Sequence, residues 1–166
     1  SFNVPITIIR PFSTYGPRQS SRAVIPTIIT QILNNEKVQL GSLNPTRDFT
    51  YIDDTISGMI SAINNKKSVG EVINLGTGAS FTIKETLNLI CKILKTKVEV
   101  LLDQKRLRPK KSEVNQLLSN NNKAKKILKW KPTLNGKKGF EYGLKRTIEW
   151  SIKNKKNIKK IDLYNV

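Results

Sequence analysis

The chain has 166 residues, 37% of them hydrophobic, enough for one globular domain whose core needs no disulfide or metal framework. A single cysteine (Cys91), no histidine and no apolar run of about 18 residues argue against disulfides, zinc sites and membrane spans, and a reducing, cytoplasmic setting is expected. The net charge is +18, and residues 105 to 160 hold nineteen Lys and Arg against three acids. Such a run can neutralise nucleic-acid phosphates. Few aromatics interleave it for base stacking, however, and Lys- and Asn-rich stretches recur throughout, so solvated faces are the favoured reading.

Residues 4 to 10 form a β-branched run with little alternation, as in a strand buried on both faces of a parallel sheet. The segment before it lacks the basic start and cleavage site of a signal peptide, and reads as a cut inside a fold. After a loop rich in Pro, Ser and Gly, the spacing of Ile25, Ile28, Ile29, Ile32 and Leu33 predicts a helix from Val24 to about Asn34, with Pro26 in its first turn. Val38 to Leu40 and Arg47 to Ile52 read as short extended pieces. Asp53 or Asp54 then stands as a cap for a helix over about 54 to 64, with Ile56, Met59, Ile60 and Ile63 as its apolar stripe.

Glu71 to Leu75 is a second buried-type strand, leading through Gly76-Thr-Gly78 to the capping box Thr82-Ile-Lys-Glu85 and a helix that buries Leu87, Ile90, Cys91 and Leu94. Lys97 to Leu102 is a further strand, and Asp103 to Ser112 a polar loop. A short helix carries Ala124, Ile127 and Leu128 until Trp130-Lys-Pro132 stops it. A last helix over about 137 to 154 buries Phe140, Leu144, Ile148 and Ile152, and residues 155 to 166 form a frayed tail. Alternating strands and helices imply an α/β architecture with part of a parallel sheet, and the helix-rich end implies a smaller appended lobe.

No HExxH, CxxC, GxSxG or P-loop pattern is present. Gly76-Thr-Gly78 lacks the third glycine of a dinucleotide fingerprint, so a plain strand-to-helix turn is favoured over a phosphate cradle. Asp53 and Asp54 diverge at a helix start, and a capping role is favoured over an acid–base pair. Three arginine-bearing loop segments stand out: Arg10-Pro-Phe-Ser-Thr-Tyr-Gly-Pro-Arg-Gln19, Arg47-Asp-Phe-Thr-Tyr-Ile-Asp-Asp54 and Arg106-Leu-Arg-Pro-Lys-Lys-Ser-Glu113. The planar guanidinium suits phosphate oxygens bidentately, so a diphosphate held between Arg47 and Arg108 is physically reasonable.

These segments, with Ala23-Val-Ile-Pro26, Asn74-Leu-Gly-Thr-Gly78 and Lys123-Ala-Lys-Lys-Ile-Leu-Lys-Trp-Lys-Pro132, resemble in their order the extended short-chain dehydrogenase/reductase family over nearly the whole chain. Within it the pattern looks like the NAD-dependent nucleotide-sugar 4,6-dehydratases and epimerases, and most like bacterial dehydratases of nucleotide-linked N-acetylglucosamine that feed legionaminic-type sugar synthesis. The resemblance implies the carboxyl-terminal part of a Rossmann-like parallel sheet plus a substrate-binding lobe, mainly residues 18 to 52 and 97 to 154, in a single domain piece. It places Pro11 and Phe12 at the reactive end of NAD, Ser13 where relatives carry a substrate-contacting asparagine, Val24, Val38 and Leu40 around the nucleotide base, Arg47 and Arg108 on the diphosphate, and Glu113 near the ribose. Serine is shorter than asparagine, which weakens that one correspondence.

The family's reaction requires a tyrosine activated by lysine in Tyr-x-x-x-Lys, which takes the hydroxyl proton while NAD removes hydride from C4; a dehydratase then loses water across C5 and C6 and returns the hydride to C6. Gln19, Thr55 and Arg146 stand four residues after Tyr15, Tyr51 and Tyr142, and Tyr164 is too near the end. No catalytic residue is therefore assigned in this chain; family order puts the tyrosine and the glycine-rich cofactor loop upstream. The expected function is the substrate-binding half of a 4,6-dehydratase, inactive alone, with a nucleotide-diphosphate sugar as ligand and homodimer formation through the other half. A 4-epimerase shares every motif quoted. A basic nucleic-acid-binding protein and a piece with no stable fold are the readings from other classes.

Overall fold

The computed structural model describes residues 4–34, 37–107 and 112–155. In chain order the elements are β1 Ile8–Pro11, β2 Ser13–Tyr15, α1 Val24–Leu33, β3 Val38–Leu40, β4 Thr46–Arg47, β5 Phe49–Tyr51, α2 Ile52–Ile63, β6 Val72–Leu75, β7 Phe81–Thr82, α3 Ile83–Leu94, β8 Val100–Leu102, β9 Gln116–Leu117 and α4 Gly136–Lys153. Three strand pairs are parallel: β1 with β6, β2 with β5, and β3 with β8. A fourth, three-stranded grouping has the order β7, β4, β9. Parallel strands separated by helices make the chain an α/β protein.

The chain folds into two compact units, Ser1–Tyr15 with Arg47–Ser80 and Leu117–Gly143, and Gly16–Thr46 with Phe81–Gln116 and Leu144–Val166. Unit one is built on the β1–β6 pair. Ile73 and Leu75 project from β6 into a cluster with Ala62, Ala124, Leu128 and Trp130, flanked by Ile9 and Ile127. Each large aliphatic group buried there contributes about 1.5–3 kcal/mol. Close approach of α2 depends on Gly58, because a Cβ at that position would stand 2.6 Å from Leu75 Cδ1. A second set in this unit is aromatic: Tyr15 meets Phe49, Tyr51 and Phe140 edge-on at 5.4–6.2 Å between centroids, and Phe49 stacks on Phe140 at 5.2 Å.

In unit two, α1 buries Ile25, Thr27, Ile28, Ile29 and Ile32, and α3 buries Ile83, Thr86, Leu87, Leu89 and Ile90. The capping box at the start of α3 forms as its sequence predicts: Thr82 Oγ1 accepts from Glu85 N–H at 3.0 Å, and Glu85 Oε2 accepts from Thr82 N–H at 2.7 Å. α3 ends on Lys95 in the left-handed conformation.

Several expectations are corrected. The strand predicted over 4–10 begins at Ile8 and is not buried on both faces; Val4, Ile6 and Ile8 are 62%, 58% and 49% exposed, because β6 is the one strand beside it and one face lacks a cover among the described residues. The apolar stripe of α2 faces outward: Ile56, Met59, Ile60 and Ile63 are exposed, while Asp54, Thr55, Gly58 and Ala62 form the packed face. Neither Asp53 nor Asp54 caps that helix. Tyr51 is the N-cap without a side-chain bond, and both aspartates sit in the first turn, where carboxylates still favour the helix dipole.

The extended piece from Arg47 is interrupted at Asp48, which separates β4 from β5. The strand predicted from Lys97 starts at Val100, and the short helix of Ala124–Leu128 is a π-helical turn closed by Lys129 at positive φ. In α4, Phe140, Leu144 and Ile148 are buried, but Ile152 is half exposed. Residues 156–166 of the expected tail lie outside the described residues.

Candidate functional site

Asp48 organises the neighbourhood of Arg47. Its side chain is fully buried and accepts five hydrogen bonds: from Thr77 N–H (2.8 Å) and Oγ1 (2.7 Å), Gly78 N–H (2.9 Å), and Ser119 N–H (3.1 Å) and Oγ (2.5 Å). The glycines of the Gly76-Thr-Gly78 turn answer a packing demand: a Cβ at Gly76 would meet both Ser119 and Asp48, and Gly78 has φ +75°. The amides that a bound phosphate would use are therefore occupied by the chain's own carboxylate. Asn121 Nδ2 adds a 2.8 Å bond to the Gly76 carbonyl, and Asp48 N–H bonds the Leu117 carbonyl.

This knot fixes the backbone beside Arg47 on β4 and also the end of β1. Phe12 N–H donates to the Leu75 carbonyl at 2.9 Å, one residue before the turn that Asp48 holds. Ser13 opens β2 in register with Phe49, two residues after Arg47. Pro11 is exposed, and Phe12, Ser13 and Arg47 are half-buried. Unit one thus carries Pro11, Phe12, Ser13 and Arg47 on three short strands and one connecting residue.

The remaining expected site residues that are described, Val24, Val38, Leu40 and Glu113, belong to unit two. Val24 is the half-buried first residue of α1. Val38 and Leu40 lie on β3, buried at 0% and 4% exposure, while Gln39 between them is exposed. Glu113 is half-buried after β8, and Arg108 lies outside the described residues. A cleft of about 330 Å³ in this unit is lined by Arg18, Gln19, Ser21, Thr30 and Trp150 among others.

Two candidate acid–base features resolve into structure. Asp54 is 2% exposed and accepts from Thr133 N–H (2.7 Å), Thr133 Oγ1 (2.6 Å) and Leu134 N–H (3.0 Å), whereas Asp53 is exposed, so the adjacent pair shares no site. Tyr15 donates its hydroxyl to the Phe140 carbonyl at 3.3 Å, and burial, with Tyr51 and Asp54 adding, pushes its pKa far above the ordinary value. A catalytic tyrosine needs the opposite shift.

Sequence reading missed Asp48, Ser119 and Asn121. The one local signal was the Gly-Thr-Gly turn, which asks for an anion; which anion fills it depends on residues 29 and 71 positions from Asp48.

The residues of the chain match a family profile described as GDP-mannose 4,6 dehydratase over positions 1–142. The chain belongs to the NAD-dependent epimerase/dehydratase family of extended short-chain dehydrogenases. Among its relatives, a UDP-glucuronate 4-epimerase of Thermodesulfobacterium geofontis is 33% identical over 96% of this chain and 47% of its own length. The human dTDP-D-glucose 4,6-dehydratase is 28% identical over 97% of this chain and 45% of its own. Among solved structures, the UDP-glucuronic acid 4-epimerase of Bacillus cereus, in complex with UDP-glucuronic acid and NAD, superimposes with a TM-score of 0.81 at 31% identity, covering 92% of this chain and 46% of its own. The chain spans about half the length of these family members.

The described residues do not by themselves fit a dinucleotide. The Gly76–Gly78 turn, which follows the parallel strand β6, has its Thr77 and Gly78 amides taken by Asp48. Among them, no group of three metal-ligating side chains occurs, and no helix is long and apolar enough to cross a membrane.

Proposed function

We propose that this chain is the substrate-binding half of an NAD-dependent nucleotide-sugar 4,6-dehydratase, with nucleotide-linked N-acetylglucosamine as the sugar class. In this reading Arg47 and Arg108 grip the diphosphate, Val24, Val38 and Leu40 shape the base pocket, Glu113 serves the ribose, Ser13 the sugar side, and Pro11 with Phe12 the cofactor edge. The cofactor loop and the catalytic tyrosine and lysine belong to the rest of the enzyme, which pairs as a homodimer. The observation that carries the reading is the family match over residues 1–142. It is supported by Arg47 standing on a strand whose next residue is locked by five hydrogen bonds, since a guanidinium on a fixed backbone loses less freedom on gripping phosphate.

A second reading, 4-epimerase, is favoured by the 33% identity to the T. geofontis enzyme. The two share this half and differ in the chemistry beside the tyrosine.

The test is calorimetric titration of the chain with UDP-N-acetylglucosamine, together with an assay for keto-sugar formation. Binding without turnover is expected, and Arg47→Ala should weaken binding by about ten- to a hundredfold, the worth of a charge-assisted bidentate contact. Turnover by the chain alone would remove the assignment of catalysis to the other half. Equal binding by Arg47→Ala would remove the clamp.

A further inference from the structure

The cleft of about 330 Å³ in unit two is walled by two helices and a loop. Pro26 and Thr30 stand one turn apart on α1, and Thr147, Trp150 and Ser151 share one face of α4. The loop that begins at Gly16 closes the third side and is fixed by bonds of its own: Gln19 N–H to the Gly16 carbonyl at 3.3 Å, Ala23 N–H to the Ser20 carbonyl at 3.0 Å, and Thr27 Oγ1 to the Ser21 carbonyl at 2.9 Å. The first of these closes a turn with Pro17 in its second place and Arg18, at φ +64°, in its third. A positive φ at the third place of a turn ordinarily selects glycine or asparagine. Arg18 therefore stands against the local backbone preference, and it lines the cleft. Among the described residues, the Arg18 guanidinium, the Ser21 and Thr30 hydroxyls and the Trp150 indole N–H have no hydrogen-bond partner, and no acidic side chain lines the cleft.

We propose that this cleft binds a monosaccharide phosphate. Its volume lies at the small end of the range for small-molecule sites, about 300–1,000 Å³, which suits one sugar ring and its phosphate. The planar guanidinium of Arg18 takes two phosphate oxygens as a fork. Trp150 offers an apolar ring face against which the C–H face of a sugar packs, with an N–H donor at the ring edge. The Ser21 and Thr30 hydroxyls both donate and accept, as ring hydroxyls require of their partners. The surrounding field favours an anion, since unit two holds nineteen Lys and Arg against seven Asp and Glu. A bare phosphate would leave the indole and both hydroxyls unused, and a neutral sugar would leave Arg18 unused. None of the lining residues is among those assigned to the nucleotide sugar above, so the cleft takes a ligand of its own.

The experiment follows the indole N–H signals of the full chain by heteronuclear NMR while glucose 6-phosphate, inorganic phosphate and glucose are titrated in separately. The chain has two tryptophans. Trp130 Nε1 donates to the Asp54 carbonyl (3.2 Å) and to Ser57 Oγ (2.9 Å) in unit one and is the internal control, and Trp150→Phe identifies the other signal. Glucose 6-phosphate should shift the Trp150 signal saturably and leave Trp130 in place, binding at least about tenfold more tightly than phosphate or glucose alone. Arg18→Gly removes the fork and suits the positive φ, so binding should weaken by about ten- to a hundredfold while the melting temperature holds or rises. Thr30→Val, which keeps the shape of a half-buried side chain, should weaken binding by about three- to tenfold. An unmoved Trp150 signal, equal binding of phosphate or of glucose, or binding indifferent to both variants would each overturn the proposal. A melting temperature that falls with Arg18→Gly would overturn it as well, because Arg18 would then serve the fold.

Discussion

The phenol of Tyr15 is enclosed by Phe49, Tyr51 and Phe140, and it donates its hydroxyl to the Phe140 carbonyl, a group that accepts a hydrogen bond and cannot supply one. Removing that proton would leave an anion in an apolar pocket, so the folded protein holds it far above the ordinary value of 10.0. Unfolding releases the phenol to its normal behaviour. Above pH 10 the folded state therefore binds more protons than the unfolded state, and stability falls as pH rises, by up to about 1.4 kcal/mol per pH unit. Below pH 10 the contribution is complete. Urea midpoints at pH 9 and pH 11 should show this loss, and Tyr15→Phe should flatten the difference.

Among elements, the junction of β4, β5 and the Gly76–Gly78 turn depends on one carboxylate. Asp48→Asn keeps the shape but replaces an acceptor oxygen with a donor that faces N–H groups, so at least one buried amide loses its partner; the expected cost is about 3 kcal/mol, measured by urea unfolding. A loss below about 1 kcal/mol would mean that the five bonds are individually weak.

The sequence marked the helices well because their signals are local. The periodicity of α1, the Thr82–Glu85 box and the length of α4 need no distant partner to be read. The α2 stripe was read facing inward because hydrophobicity alone orients a helix that way. The fold instead seats the small Gly58 and Ala62 against β6 and ties Asp54 to residues 133 and 134, which lie 79 and 80 positions away. Asp48 lies inside the Arg-Asp-Phe-Thr-Tyr segment that the sequence singled out, but the residues it binds, Thr77 and Ser119, are its neighbours only after folding.

For the molecule as a whole, the +18 charge opposes compaction. Raising NaCl from about 20 to about 300 mM shortens the screening length from roughly 20 Å to roughly 6 Å, so the melting temperature should rise by about 3–5 °C in a fluorimetric scan. An unchanged or falling value would mean that the charges are already neutralised locally, as Lys37–Glu99, Arg106–Asp103 and Lys123–Glu71 are.

The two units are also interleaved. The chain passes between them at 15/16, 46/47, 80/81, 116/117 and 143/144, the last crossing falling inside α4. Neither unit corresponds to a contiguous stretch of gene, so recombination cannot transplant one without the other, and no single proteolytic nick can release either. Exchange of either unit between relatives would have to proceed segment by segment, on a scaffold inherited as one block.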